Sequence, residues 1–288
     1  MIGFILSILT ALSVSIQDIF KKKALQNMDN YIFTWGMSLF SMIFIFPLLF
    51  ITGIPHLGEN FYYALIVSGL INTATMILYV KAMQESDLSL ISPLVTFTPL
   101  FLLISSPLIV NEIPSLYSII GVFVLVIGAY TLNIKDRKKS LFKPIKSLLS
   151  DSGARKMFLV AFLWSISSNF DKVGVLNSSP IFWVISVNIF VLIMLTPIIY
   201  YKSKTKVLEI IPNYKIFIII SVIHFLGLFL QMTAISFMSV IYVIAIKRLS
   251  AVFSVIFGHI IFKEKNIRDR LIGVIIMIIG VIFITLLK

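Results

Sequence analysis

The sequence predicts an all-α integral membrane protein with ten transmembrane helices arranged as two inverted five-helix repeats. Three observations predict it. Of 288 residues, 59% are hydrophobic and 12% charged, whereas soluble domains run at roughly 45–50% and roughly 25%. So few charges cannot cover a water-soluble surface, and the mean hydropathy is +1.06. The apolar residues come in stretches of about 20, the length that crosses a hydrocarbon core of about 30 Å. The second half also echoes the first at an offset of 152 positions. A soluble enzyme, a coiled coil and a disordered chain are excluded.

Apolar runs place the ten spans at 2–20, 31–52, 61–81, 88–110, 115–134, 157–176, 180–201, 214–236, 239–262 and 268–287. The first has no basic leader and no A-x-A-like cleavage site, so it reads as a span rather than a signal peptide. Asn111–Glu112–Ile113–Pro114 alone separates spans four and five. The single long connection, 135–156, carries Lys135, Arg137, Lys138, Lys139, Lys143, Lys146, Arg155 and Lys156. It divides the chain into a first repeat over 1–134, a basic linker over 135–156, and a second repeat over 157–288.

The offset of 152 aligns 82–134 with 234–286 without a gap. Among the matches, Ile104/Ile256 or Ile120/Ile272 are cheap in such a composition. Glu112/Glu264, Gly121/Gly273 and Gly128/Gly280 are not. Weaker echoes are Pro47/Pro197 in spans two and seven and Asp18/Asp171 in spans one and six. An odd number of spans per repeat makes the halves enter the membrane with opposite orientation. The expected relation is a pseudo-two-fold axis in the membrane plane, the construction of many secondary transporters. A duplicated bundle without a transport role is the alternative.

The net charge of +12 would suggest nucleic acid in a soluble protein. Here the bases sit mainly in loops, where they set topology and meet lipid headgroups, so no nucleic-acid partner is expected. Loops after the odd-numbered spans hold about 20 of the 24 basic residues, including Lys21–Lys22–Lys23 and Lys263, Lys265, Arg268 and Arg270. The opposite side holds Lys172 and Lys288. This predicts a multi-pass protein of the cell membrane with odd loops cytoplasmic and both termini outside. Trp35, Trp164 and Trp183, with Tyr62, Tyr63, Tyr200, Tyr201 and Tyr214, fall near span ends and read as interfacial anchors.

Ten spans in two repeats, Glu112 and Glu264 at the ends of spans four and nine, and the glycine pairs 121/128 and 273/280 together resemble the EamA repeats of the drug/metabolite transporter superfamily. The stretch Gly258-His-Ile-Ile-Phe-Lys-Glu264 is similar to that family's span-nine ending. The resemblance covers nearly the whole chain. It implies a secondary transporter of a small organic solute and does not name the solute.

Lys247 and Arg248 are the most informative residues, eight or nine positions into span nine and so about 12–13 Å deep at 1.5 Å per residue. Each costs roughly 2.5–3.5 kcal/mol at a span centre on insertion scales. Three readings are open. The pair binds an anionic substrate, Arg offering a planar fork and Lys a point charge. Or it is neutralised internally by Asp171 or Asp18. Or the span boundary is displaced and the pair lies at the interface. Resemblance adds weight to the first, because phosphate translocators of the same superfamily carry a Lys-Arg pair in span nine. They also carry a basic residue at the matching place in span four, which here holds Val95 and Thr96. A carboxylate or an amino acid therefore fits as well as a phosphate.

Asn72 and His224 occupy equivalent positions of spans three and eight and suit a central cavity, or else bond helix to helix. His259, nearly on the face of Arg248, is a candidate for titration in a proton-coupled cycle or a structural histidine. The candidate substrate-binding set is Lys247, Arg248, Asn72, His224, Tyr242, Asp171 and Thr96. Pro93, Pro99 and Pro107 in span four, and Pro47 with Pro197, predict kinked helices. The glycines at seven-residue spacing predict close helix packing.

The chain has no cysteine and no G-x-x-x-x-G-K-[ST], H-E-x-x-H, G-x-S-x-G or G-x-G-x-x-G motif. No disulfide, cofactor, metal or enzymatic activity is expected. The expected function is alternating-access transport or exchange of an anionic or zwitterionic metabolite, phosphorylated or carboxylated. Partners would be that solute, the lipid bilayer, and protons or a counter-substrate. Two repeats in one chain make a monomer sufficient. The alternatives are an exporter of amino acids or amphipathic drugs, with Lys247 and Arg248 as structural ion-pair partners, and a membrane-embedded enzyme or scaffold.

Overall fold

The computed structural model describes residues 1–24, 28–86, 88–133, 145–146, 150–203, 207–208, 210–262 and 267–286. Its main elements are all helical: α1 (Ile2–Ala24), α2 (Asn30–Ile45), α3 (Leu48–Thr52), α4 (Phe61–Glu85), α5 (Leu88–Val95), α6 (Thr98–Val110), α7 (Leu116–Asn133), α8 (Ser152–Leu176), α9 (Pro180–Lys202), α10 (Tyr214–Phe237), α11 (Val240–Lys247), α12 (Ser250–Phe262) and α13 (Ile267–Leu286). Seven stretches among the described residues are long and apolar enough to cross a bilayer, and Leu116–Thr131 and Ile272–Ile284 are shorter apolar helices. The 25-residue α8 completes the ten expected spans.

Local chemistry sets the helix ends. The Asp29 carboxylate accepts from the amides of Tyr31 (2.9 Å) and Ile32 (3.3 Å) and starts α2. Ser179 accepts from Phe182 N (3.3 Å), with Pro180 at the first position of α9. Both arrangements satisfy amides that have no partner inside the helix. Asn111 stops α6 in the left-handed region at φ 56°, its N–H bonded to the Ser106 carbonyl.

Shifting the helices of the first half by 152 residues, with α2 and α3 taken together, lands on those of the second with ends agreeing to within two residues. For α5 and α6 against α11 and α12 the ends coincide. The repeat is therefore structural as well as sequential. The compact units of the fold are nevertheless different from the repeats. One unit comprises Met1–Ala74 with Phe170–Phe237, the other Thr75–Asn169 with Met238–Lys288. The division falls inside α4 and inside α8, so each unit draws on both halves of the sequence.

In the first unit α1 and α2 pack on α10, and α2 on α9. The core joins Ile32, Phe33 and Met37 of α2 to Ile199 of α9 and to Phe217 and Ile220 of α10. Gly36 leaves room for the Phe217 ring: a Cβ there would stand 2.7 Å from Phe217 Cε1. Inside a membrane, where water gives no drive to helix association, such close contact supplies the attraction.

In the second unit α7 packs along α13. A Cβ on Gly121 would meet the Gly280 carbonyl at 2.8 Å, and one on Gly128 would meet Met277 N at 2.6 Å and the Gly273 carbonyl at 2.9 Å. Position 121 thus meets 280 and 128 meets 273, so the helices run antiparallel. In the repeat, 121 is equivalent to 273 and 128 to 280, so each glycine meets the counterpart of its own heptad neighbour. That crossed pairing is the signature of a two-fold axis perpendicular to both helices, which for membrane-crossing helices lies in the membrane plane.

Three sequence expectations need correction. Span nine is not a single helix but a pair, α11–α12, whereas the break of span four into α5 and α6 falls among the prolines that predict it. Pro47 does divide span two into α2 and α3, whereas Pro197 sits inside the unbroken α9. Trp183 is no interfacial anchor: its side chain is fully buried, because Gly174 leaves a hollow that the ring fills. Glu264, the loop bases Lys263 and Lys265, and most of the basic linker lie outside the described residues, as does the side chain of His259.

Candidate functional site

The breaks in spans four and nine are one joint built twice. In span four, Thr96 N donates to Pro93 O (3.2 Å), Phe97 N to Leu94 O (3.2 Å), Leu100 N to Phe97 O (2.9 Å) and Phe101 N to Phe97 O (3.2 Å). In span nine the equivalent bonds run from Arg248 N to Ala245 O (3.0 Å), Leu249 N to Ile246 O (2.9 Å), Val252 N to Leu249 O (2.9 Å) and Phe253 N to Leu249 O (3.1 Å). In each joint the first three of these bonds reach back three residues instead of four and tighten it into a 3₁₀ turn, a recurrent mark of hinges, before the fourth resumes the α-helical reach. In span four the joint is flanked by Pro93 and Pro99, which lack amide hydrogens. In span nine the matching places hold Ala245 and Ala251, so the joint does not depend on proline.

Thr96 and Arg248 are the equivalent residues of the two joints. Thr96 is buried and satisfies itself, its Oγ1 donating to Pro93 O at 2.6 Å. Arg248 has no such local solution. Its side chain is half-buried, and its Nε is sealed from solvent without a hydrogen-bond partner among the described residues. The Tyr79 phenol, whose ring leans on Trp164 (5.9 Å, 33°), is its electrostatic neighbour. Lys247 and Arg248 close the C-terminal end of α11, where the partial negative charge of the last carbonyls favours cations. Tyr242 and Lys247 on this helix are half-buried. The pair therefore lies inside the protein, about 10–12 Å along span nine at 1.5 Å per residue.

The start of α11 is held by Glu112, whose Oε2 accepts from Ser239 Oγ (2.7 Å) and Val240 N (2.9 Å). The carboxylate that ends span four thus caps the half-helix that carries the basic pair. Sequence matching singled out Glu112 without revealing this role, since the capped helix lies 128 residues away.

A second polar cluster lies in the first unit. Asp171 Oδ1 accepts from Ser68 Oγ (2.6 Å) and Trp183 Nε1 (3.1 Å), and Asn72 Nδ2 donates to Ser68 O and Ser68 Oγ (3.0 Å each). Asp171 is 6% exposed. Two of the expected site residues, Asn72 and Asp171, therefore share one network through Ser68. Ser68 and Trp183 were not anticipated. A lone serine in a span carries no signal, and Trp183 falls where interfacial tryptophans do. His224, on α10 of the same unit, is half-buried. Asn72 and His224 stand near the middle of α4 and α10, as their equivalence requires.

Not every buried amide belongs to a site. Asn169 accepts from Ser106 Oγ (2.6 Å) and donates to Ser105 Oγ (3.0 Å) and Ser165 O (2.8 Å). With donors and acceptor all used, it bolts α8 to α6.

The pattern of the EamA-like transporter family matches the chain twice, over residues 1–134 and 152–286. A solved crystal structure, described only as that of a protein, aligns with a TM-score of 0.73 at 13% identity, covering 99% of this chain and 96% of its own. That likeness concerns the fold alone. No curated protein matches the chain.

Proposed function

We propose a specific role for a chain that belongs to the EamA-like transporter family and is therefore a multi-pass membrane transporter: secondary transport or exchange of a small anionic or zwitterionic solute by alternating access. The observation that carries this reading is the buried Nε of Arg248 at a helix joint, without a hydrogen-bond partner among the described residues. A buried polar atom without a partner costs about 1–3 kcal/mol, and a bound carboxylate or phosphate would remove that cost. Arg248 supplies the planar fork and Lys247 the point charge. Tyr242 on the same half-helix and Thr96 at the matching joint belong to the same substrate set. Asn72 and Asp171, joined through Ser68, form a polar cluster of the first unit by itself, with His224 on α10 of that unit.

Coupling is assigned to protons or to a counter-substrate, and the basic linker to the cytoplasmic face, following the distribution of Lys and Arg. Transport into proteoliposomes tests the substrate contact, with inorganic phosphate, succinate and glutamate as probes. Arg248→Ala is expected to lower apparent affinity about 10–100-fold, the worth of a hydrogen bond to a charged group. Arg248→Lys should recover only part of it. Unchanged affinity in both Lys247→Ala and Arg248→Ala would overturn the anion assignment.

A further inference from the structure

α11 is too short to hold its own position. It has eight residues, whereas helices shorter than about 12–15 residues are marginal without outside support. Ser239, the residue before it, makes no side-chain cap bond to the helix. At the other end the chain passes into the 3₁₀ joint at Arg248 and Leu249. Lys247 is the last residue of this helix and Arg248 its C-terminal cap. Where α11 sits along its axis therefore decides where the guanidinium sits.

The support comes from the end of span four. Glu112, just beyond α6, accepts from Ser239 Oγ (2.7 Å) and from Val240 N (2.9 Å), the first amide of α11. Because α11 also packs on α6, it runs back along that helix, antiparallel to it. Glu112 is itself fixed to α6: its N–H donates to Ser106 O (3.4 Å) across the left-handed turn at Asn111. Ser106 in turn donates through Oγ to the buried Asn169 (2.6 Å). The Glu112 side chain is half-buried, whereas the next residue, Ile113, is 86% exposed. Charge agrees with this placement. The start of a helix is its positive end and favours a carboxylate, and the far end favours the cations Lys247 and Arg248.

We propose that Glu112 is a positioning residue for the anion site. Its two bonds fix α11 lengthwise on α6 and so hold Arg248 with its Nε inside the protein. This rests on the anion reading of Arg248, and it adds a residue that acts without touching the solute. Val240 and Arg248 are separated by about 12 Å of helix at 1.5 Å per residue, so the influence passes through α11 and not by contact.

The test pairs hydrogen exchange with transport, both on the full-length protein. Without any solute, Glu112→Ala should speed amide exchange over residues 240–249 about 3–10-fold, the worth of a lost helix cap. α12, beyond the joint, should exchange as in the wild type. Glu112→Gln, which keeps an acceptor oxygen, should restore most of the protection. Ser239→Ala removes one donor of the two and should fall between. In proteoliposomes, with inorganic phosphate, succinate or glutamate as probe, Glu112→Ala should raise KM severalfold with kcat little changed. A cap that served stability alone would lower the amount of active carrier and leave KM where it was. Unchanged exchange in α11, or a rise shared equally by α12, would overturn the proposal. So would an unchanged KM in Glu112→Ala where Arg248→Ala weakens binding. Should Arg248→Ala leave KM unaltered as well, the anion reading is the one that fails, and exchange alone then decides whether Glu112 holds α11.

Discussion

Asp171 shows what a single intramembrane carboxylate requires. Ser68 Oγ and Trp183 Nε1 both donate to it, so its loss would leave two buried donors unpaired. Asp171→Ala should cost about 1–3 kcal/mol, whereas Asp171→Asn, which keeps an acceptor oxygen, should cost much less. Thermal unfolding in detergent followed by tryptophan fluorescence measures the difference, and equal losses would show that Ser68 and Trp183 do not depend on the carboxylate. Asp151, outside the spans, is held below the usual carboxylate range by the Ser86 hydroxyl first, then by the amides of Ala154 and Gly153. A depressed folded-state value stabilises the protein above the ordinary carboxylate pKa of about 4. That contribution fades as pH falls through the lower folded value. Unfolding temperatures between about pH 6 and pH 3 should drop less steeply in Asp151→Asn than in the wild type; parallel curves would contradict this. At this scale the sequence exposed Lys247, Arg248 and Asp171 readily, because ionisable groups in apolar runs are costly and therefore conspicuous. It concealed Ser68, Trp183 and Tyr79, whose importance comes only from what they touch.

At the level of helices, the boundaries of ten spans were readable because hydrophobicity and length determine them. The break in span nine was not, since a 3₁₀ joint preserves composition. Proline flagged the break in span four and is missing from this one. The glycine packing was legible from spacing, and its geometry makes a sharp prediction. A Cβ at Gly280 would stand 2.5 Å from Leu125 N, and one at Gly128 would stand 2.6 Å from Met277 N, both backbone atoms. Gly128→Val and Gly280→Val must therefore push α7 and α13 apart and should destabilise by about 1–3 kcal/mol or more. Gly227→Ala meets the Ser13 hydroxyl at 3.0 Å, a side-chain group bonded to the Ile223 carbonyl (3.0 Å) rather than backbone, and should cost clearly less than either valine. Comparable unfolding temperatures for all three would refute the close approach. Glu112→Ala removes the cap of α11 and should cost about 0.5–2 kcal/mol, with Glu112→Gln retaining part of it.

Across the whole molecule, the sequence halves and the compact units cut the chain differently, because each unit borrows helices from both halves. Pattern-matching along the chain sees ancestry, not packing, and so could anticipate the first division and not the second. Orientation is open to direct measurement, since the chain has no cysteine and any introduced thiol is unique. Ser150→Cys should react with a membrane-impermeant maleimide only from the cytoplasmic side. Ile113→Cys, 86% exposed after α6, should react only from the outside; the reverse pattern would invert the topology. The paired joints carry a last implication. A strictly symmetric carrier would pass through two interchangeable half-cycles, each the mirror of the other. Here one joint bears a hydroxyl that closes on its own backbone and the other a cation. In the alternating-access cycle proposed above, loading and unloading would take place against unequal local fields, because the two joints keep the backbone bonds of the repeat and not its side chains.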